Sequence, residues 1–147
     1  MFAAFERSNV SPDNLVRSFG NRAAFFNPQY VAGIEHLTFA YIHTDRAFQH
    51  DENIARTYTI EFLVRLSGRK QIEKALEIGI KQGSHIGIFS KDDIPNSLQS
   101  FVSHRNDSLF DLSLEKEKYL HDFYEVSGSG KELRKQIFEK IALLSVY

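Results

Sequence analysis

The sequence contains no cysteine, no tryptophan, only three prolines and almost no net charge. The lack of cysteine excludes disulfides, thiolate metal sites and cysteine nucleophiles, and it fits a reducing compartment. A net charge of −1 argues against a protein that coats nucleic acid through overall electrostatics. The longest apolar runs are far too short to span a bilayer, and the N-terminal residues lack the pattern of a signal peptide. We therefore expect a cytoplasmic protein, also nuclear if it is eukaryotic, with no membrane partner.

The composition that remains is globular and rich in aromatic residues. The 147 residues are 42% hydrophobic and include 13 phenylalanines, enough to bury a continuous core without metals or disulfides. This length is also close to the commonest size of one domain. We predict a single domain over residues 1–147.

Positive charge is concentrated in one segment of the chain. Residues 53–82 carry six basic and three acidic side chains, a local charge of +3, whereas the rest of the chain carries −4. An acidic protein with one basic segment is suited to binding a limited stretch of phosphates there. The alternative is an ordinary solvated helix face with pairs such as Glu61–Arg65.

The first half of the sequence alternates short strand and helix patterns. Residues 2–8 and 23–26 are rich in Phe and Ala and predict strands. Between them, Ser11-Pro12 supplies a helix start and Gly20 a helix end. From Gly33 to about His50 no Pro or Gly interrupts an apolar pattern that covers most of a helix, which predicts a mostly buried helix.

The pattern of the basic segment predicts a helical hairpin over residues 54–80. Ala55, Tyr58, Phe62 and Leu66 form an apolar stripe at helical spacing, which Arg65 does not share. Gly68 can adopt the left-handed conformation that ends a helix, and a second amphipathic helix follows. The stripe predicts that the aromatic rings face the core.

The second half predicts one strand and three helices. The strand covers residues 85–89, and Asp92-Asp93 predicts the start of a helix that runs to Val102. Residues 115–126 and 131–144 predict two more helices. The expected fold is α+β, a single helix-rich domain in which helices flank a small, mostly antiparallel sheet.

Catalytic and cofactor motifs are weak. Residues 128–131 imitate the end of a phosphate-binding loop, but Glu132 stands where a hydroxyl should bind Mg²⁺, so we predict a turn between helices. His36, His43 and His50 recur every seven residues, too far apart to share one metal ion. We expect no metal, no cofactor and no catalytic residue. The alternatives are a small enzyme that uses His36 with Glu35 or a distant carboxylate, and a self-associating structural domain.

Several strings in the sequence resemble one known family. They are Gly33-Ile-Glu-His-Leu-Thr-Phe-Ala40, the stretch 52–81 that holds the six basic side chains counted above, and Lys140-Ile-Ala-Leu-Leu144. Together they resemble the PRPK-binding subunit of the KEOPS tRNA-modification complex. The resemblance implies a non-catalytic subunit with two partners, a small PRPK-type kinase and the 3′ single-stranded end of tRNA. It also implies a role in threonylcarbamoylation of the adenosine beside the anticodon.

The candidate site residues fall into two groups. The expected RNA contacts combine the basic side chains of the segment with the Gly-x-x-His spacing of the resemblance: Gly33, His36, Arg56, Arg65, Arg69, Lys70 and Lys74. A kinase requires an exposed apolar patch, for which the second hairpin helix and the last helix offer Ile72, Leu76, Ile80, Ile141, Leu144 and Val146.

Overall fold

A four-stranded antiparallel sheet forms the centre of the protein. The computed structural model describes residues 1–145, in which the strands are β1 (Phe2–Ser8), β2 (Ala24–Phe26), β3 (Ile86–Phe89) and β4 (Val102–Arg105). Their order across the sheet is β2-β3-β1-β4, and every neighbouring pair is antiparallel. The predicted α+β fold with an antiparallel sheet is confirmed.

Helices surround this sheet. They are α1 (Pro12–Phe19), α2 (Ile34–Gln49), α3 (Tyr58–Ser67), α4 (Ile72–Ala75), α5 (Leu114–Tyr124) and α6 (Gly130–Leu143). Short 3₁₀ turns cover residues 28–30, 76–78, 96–100 and 107–110. Among the described residues, no helix has the length and apolar character needed to cross a membrane.

The sheet is buried on both faces, because alternate residues of a strand point to opposite sides. Ala4, Phe26 and Phe89 face the cluster that packs on α2 and α3, where the rings of Phe62 and Phe89 stack at 4.1 Å between centroids. The opposite face packs against α1 and the 94–101 segment through Leu15, Phe19, Phe25, Ile88 and Leu98. A third cluster joins α5 to α6.

The predicted hairpin is present but shorter than expected. Thr57 caps α3, since its hydroxyl accepts from the Ile60 amide at 3.3 Å, so the helix begins at Tyr58 rather than at residue 54. Gly68 ends it in the left-handed conformation, with φ of 66°. The second arm is one α turn, α4, followed by a 3₁₀ turn.

The predicted helix from Asp92 to Val102 is wrong. Pro95 disfavours the helical conformation at the residue before it and cannot donate a backbone hydrogen bond. Only the 3₁₀ turn 96–100 forms, and the chain then enters β4, where Val102 pairs with Ser8 of β1. The apolar residues of this segment therefore cover the sheet as a turn and an edge strand.

Candidate binding surfaces

A basic groove lies where the α3–α4 turn meets the end of α6. It has a volume of about 460 Å³ and four cationic side chains, Arg69, Lys70, Lys74 and Lys140. Its other lining residues are Gly68, Gln71, Leu143 and Leu144. Among the described residues, the lining includes no carboxylate and none of the four cations is in an ion pair. The groove therefore combines uncompensated positive charge with an apolar wall.

The turn that opens this groove is held close to α6. A Cβ atom on Gly68 would lie 3.4 Å from the Cβ of Lys140, so glycine serves both the left-handed conformation and the close approach. Arg69 is anchored on α5, where its guanidinium donates to the Phe123 carbonyl and lies 5.1 Å from the centre of the Phe123 ring. Lys70 and Lys74 are exposed.

Sequence reasoning found three of these four cations and missed Lys140. Lys140 lies 70 residues beyond Lys70 in the chain, and its place in the groove depends on how α6 packs across the end of α3. A helical pattern in α6 places Lys140 beside the buried Ile141 stripe, at the edge of the helix. That pattern gives no sign of which segment the edge faces.

Arg65 is not a surface cation, which corrects its assignment as an RNA contact. It is fully buried. Its guanidinium pairs with Glu61 at 2.7 Å and also donates to the Ser145 hydroxyl at 2.9 Å and the Glu52 carbonyl at 3.2 Å. Glu61 in turn accepts from the amides of Ile54 and Ala55. The pair thus joins α3 to the preceding loop and to the chain after α6.

His36 and Gly33 are also buried, so neither is placed as a direct RNA contact. The amide of Ala32 donates to His36 Nδ1 at 3.0 Å, so the neutral ring carries its proton on Nε2, which donates to the Leu66 carbonyl at 2.9 Å. Burial lowers the pKa of His36 to about 4. Arg134 covers the start of α2, because it donates to the Ala32 carbonyl and pairs with Glu35 at 3.2 Å.

Arg56 is exposed but stands apart from the groove. It belongs to the loop before α3, while Arg69 follows the other end of that helix. Ten residues of α-helix separate the two ends by roughly 15 Å. The structure therefore brings Arg69, Lys70 and Lys74 together and leaves Arg56 outside.

A second, apolar groove lies between α1, α3 and the residues that follow α4. It has a volume of about 210 Å³, and Val16, Ile60, Leu63, Leu76 and Ile80 are among its lining residues. Val16 is 52% exposed and Leu76 is 44% exposed, while Ile60 and Ile80 are half-buried. Ile72, outside the groove on α4, is 39% exposed. Large apolar side chains are therefore left in contact with water here.

The structure places the predicted apolar interface residues in different environments. Leu76 and Ile80 line the apolar groove, and sequence reasoning missed their partners Val16, Ile60 and Leu63. Ile141 is fully buried between α5 and α6, so its place in the interface is corrected to the core. Leu144 lines the basic groove instead. Val146 lies outside the described residues.

The geometry around His36 gives no support to an acid–base pair with Glu35. Both nitrogens of the His36 ring are engaged by backbone groups inside the core. The Glu35 side chain is exposed and pairs with Arg134. In the described part of the chain, no group of three or more His, Cys, Asp or Glu residues has an arrangement that would hold a metal ion.

An exposed cationic groove and an exposed apolar groove on one small α+β domain are surfaces of the kind that proteins use to bind macromolecular partners. The molecule is thus a small α+β domain with two separate candidate binding surfaces. A family model described as kinase binding protein CGI-121 matches residues 7–145. The chain belongs to this family, and the resemblance seen in the sequence is confirmed.

Two archaeal relatives are similar to the chain. The "Regulatory protein Cgi121" of Methanocaldococcus jannaschii is 25% identical over 136 residues, which cover 91% of this chain and 90% of that protein. The "KEOPS complex subunit Cgi121" of Pyrococcus abyssi is 39% identical over 71 residues, which cover 47% of this chain and 42% of that protein.

Proposed function

We propose that this protein is a non-catalytic subunit of a KEOPS complex in the cytoplasm. It binds a PRPK-type kinase through the apolar groove and the 3′ single-stranded end of tRNA through the basic groove. In this role it supports the formation of threonylcarbamoyladenosine in tRNA without performing the chemistry. The observation that carries the proposal is that the two grooves share no lining residue, so both partners have room to bind at once.

The basic groove has the charge and shape that a single strand requires. Four cations in a lining that, among the described residues, includes no carboxylate attract phosphates, and each contact releases counterions. Leu143, which is 48% exposed, gives the groove an apolar wall against which an unstacked base can pack. Double-stranded RNA offers its phosphates but not free base faces, so the groove favours an unpaired end.

The apolar groove has the character of a protein-docking site. Leu76 and Val16 stand at its rim in contact with water, while Ala23, Ala24 and Phe25 form a buried floor. A partner side chain inserted here would lose water on all sides, which is the setting of an interface hot spot. The description of the family as kinase binding agrees with a kinase as the occupant.

Binding to two forms of one tRNA tests the RNA half of the proposal. Labelled tRNA that keeps its terminal single-stranded nucleotides should bind, and the same tRNA lacking them should bind at least about tenfold more weakly, because the groove then loses phosphate contacts and a base. Equal affinity for the two forms would contradict recognition of the 3′ end.

Co-purification with a PRPK-type kinase tests the other half. The two proteins should elute together in size-exclusion chromatography, and saturating tRNA should leave the complex intact because the grooves are separate. Separate elution at micromolar concentration would contradict the kinase assignment. Competition between kinase and tRNA would contradict the assignment of separate surfaces.

A further inference from the structure

The carbonyl of Leu66 marks the end of α3, directly before the turn that opens the basic groove. Carbonyls in the last turn of a helix have no partner within the helix. This one accepts two side-chain hydrogen bonds, from His36 Nε2 at 2.9 Å and from the Tyr124 hydroxyl at 3.1 Å. Both donors are buried, and they come from α2 and α5. Two other helices therefore fix the end of α3.

The residues after Leu66 continue this connection into the groove. The Ser67 hydroxyl accepts from the Arg69 amide at 3.1 Å and donates to the Val64 carbonyl at 2.9 Å. Arg69 rests on Phe123, the neighbour of Tyr124 in α5. Consecutive residues of one helix therefore contact the Leu66 carbonyl in the last turn of α3 and the first cation of the groove.

This arrangement gives His36 and Tyr124 a role that ordinary core packing does not require. Burying a histidine or a tyrosine hydroxyl requires a hydrogen-bonding partner, but any nearby group would serve. Here both converge on one carbonyl, two residues before the left-handed Gly68. The Tyr124 hydroxyl has one proton, which it shares between the Leu66 carbonyl at 3.1 Å and the Tyr30 carbonyl at 2.7 Å, so its position is fixed from two sides.

We infer that His36 and Tyr124 are positioning residues for the basic groove: by holding the Leu66 carbonyl they set the place of Arg69 and Lys70 without touching RNA themselves. The inference rests on the proposed tRNA role of the groove. It accounts for the Gly33-x-x-His36 spacing without a direct RNA contact, because Gly33 begins the helix that delivers the imidazole to Leu66.

Two conservative variants and one matched control test the positioning role. Tyr124→Phe and His36→Gln alter the bonds to Leu66. Thr44→Val removes an equally buried hydroxyl of α2 that donates to the Ala40 carbonyl and does not line the groove as far as residues 1–145 show. The readouts are affinity for an RNA hairpin with a 3′ single strand, and hydrogen exchange of the Gly68 and Arg69 amides. Tyr124→Phe should bind about three- to tenfold more weakly, with faster exchange at those amides. Thr44→Val should leave both readouts unchanged.

Rescue separates positioning from packing at His36. The amide of Gln can still donate to the Leu66 carbonyl, so His36→Gln should retain more RNA affinity and slower exchange than His36→Ala. If the His36 variants do not fold, the Tyr124→Phe variant still tests the positioning role. Wild-type affinity and wild-type exchange in folded Tyr124→Phe would overturn the inference.

An Arg69→Glu variant separates this inference from the proposed function. If Arg69→Glu binds the RNA hairpin as well as the wild type does, the tRNA role of the groove is wrong. Exchange at Gly68 and Arg69 in Tyr124→Phe still reports whether the turn is held. If Arg69→Glu loses RNA affinity while folded Tyr124→Phe loses none, the tRNA role of the groove is supported and the positioning role is wrong.

Discussion

The two grooves lie on either side of the same short segment, yet they differ in almost every physical respect. The basic groove presents four cations around a turn, and the backbone just before this turn is held by the hydrogen bond from His36 to the Leu66 carbonyl. The apolar groove presents aliphatic side chains above a floor that belongs to the sheet core. Lys74 lines the first and Leu76 lines the second, only two residues apart. One turn of helix and one 3₁₀ turn are thus enough to divide charge from apolar surface.

This difference would let one segment serve the two proposed partners. Charge acts over a Debye length of about 10 Å and needs little shape, whereas an apolar contact acts only at van der Waals distance and needs a fitted cavity. Substitutions in one groove should therefore leave the other intact. Substitutions that destabilise α3 as a whole, at buried residues outside either groove, should damage both.

The largest expected effect comes from Arg65, the buried support common to both grooves. Arg65→Met leaves the Glu61 carboxylate buried without its cation, which should lower the free energy of unfolding by about 3–5 kcal/mol. Urea unfolding measures this loss, and both binding activities should fall with it. Arg46→Met, an exposed arginine of α2, should change stability by less than about 0.5 kcal/mol. A loss below about 1 kcal/mol for Arg65→Met would show that the pair does not support α3.

The next effect separates the grooves. Leu76→Glu places a charge in the apolar groove and should weaken kinase binding on the order of 100-fold, because the charge would be buried in the complex. The melting temperature should change little, since Leu76 is 44% exposed, and tRNA affinity should stay the same. Ile42→Glu is the matched control, with 41% exposure on α2, and calorimetry should find kinase binding unaffected. A steep fall in melting temperature for Leu76→Glu would assign the residue to the core.

A smaller effect tests the support that His36 gives to the end of α3 beside the basic groove. Burial lowers the pKa of His36 to about 4 from an ordinary 6.5, so between these values the folded protein binds fewer protons than the unfolded chain. Stability should therefore fall as pH decreases, by about 2 kcal/mol between pH 7 and pH 5. The difference in unfolding free energy between wild type and His36→Gln across this range isolates the effect. Parallel pH profiles for the two proteins would contradict it.

The smallest effect concerns charge in the basic groove alone. Lys70→Glu with Lys74→Glu should weaken tRNA binding about tenfold and reduce the salt slope by about 1.4, the share of two single-strand phosphate contacts. Kinase binding should be unchanged. Lys118→Glu with Lys131→Glu makes the same change of net charge at exposed sites on α5 and α6, outside the groove. If both double variants lose the same affinity, the groove has no special role and only net charge matters.

Much of the local structure could be predicted from single residues. Ser11 before Pro12 starts α1, and Gly68 ends α3 in the left-handed conformation. These signals act within a few residues, because capping and steric preference are properties of the local backbone. The α3 stripe was also read correctly, since Phe62 and Leu66 are buried. The helix predicted at residues 92–102 failed because Pro95 and pairing with β1 outweighed its apolar pattern.

The sequence by itself determined the α+β class, the main helices, the left-handed turn at Gly68 and the concentration of cations on both sides of that turn. Tertiary structure alone decided that Arg65 is buried against Glu61 and that Ile141 is core. It also decided that Lys140 joins Arg69 and that Val16 joins Leu76. The physical reason is that periodicity reports which side chains share a face of one helix. Exposure and partnership depend on which segments, distant in sequence, pack against that face.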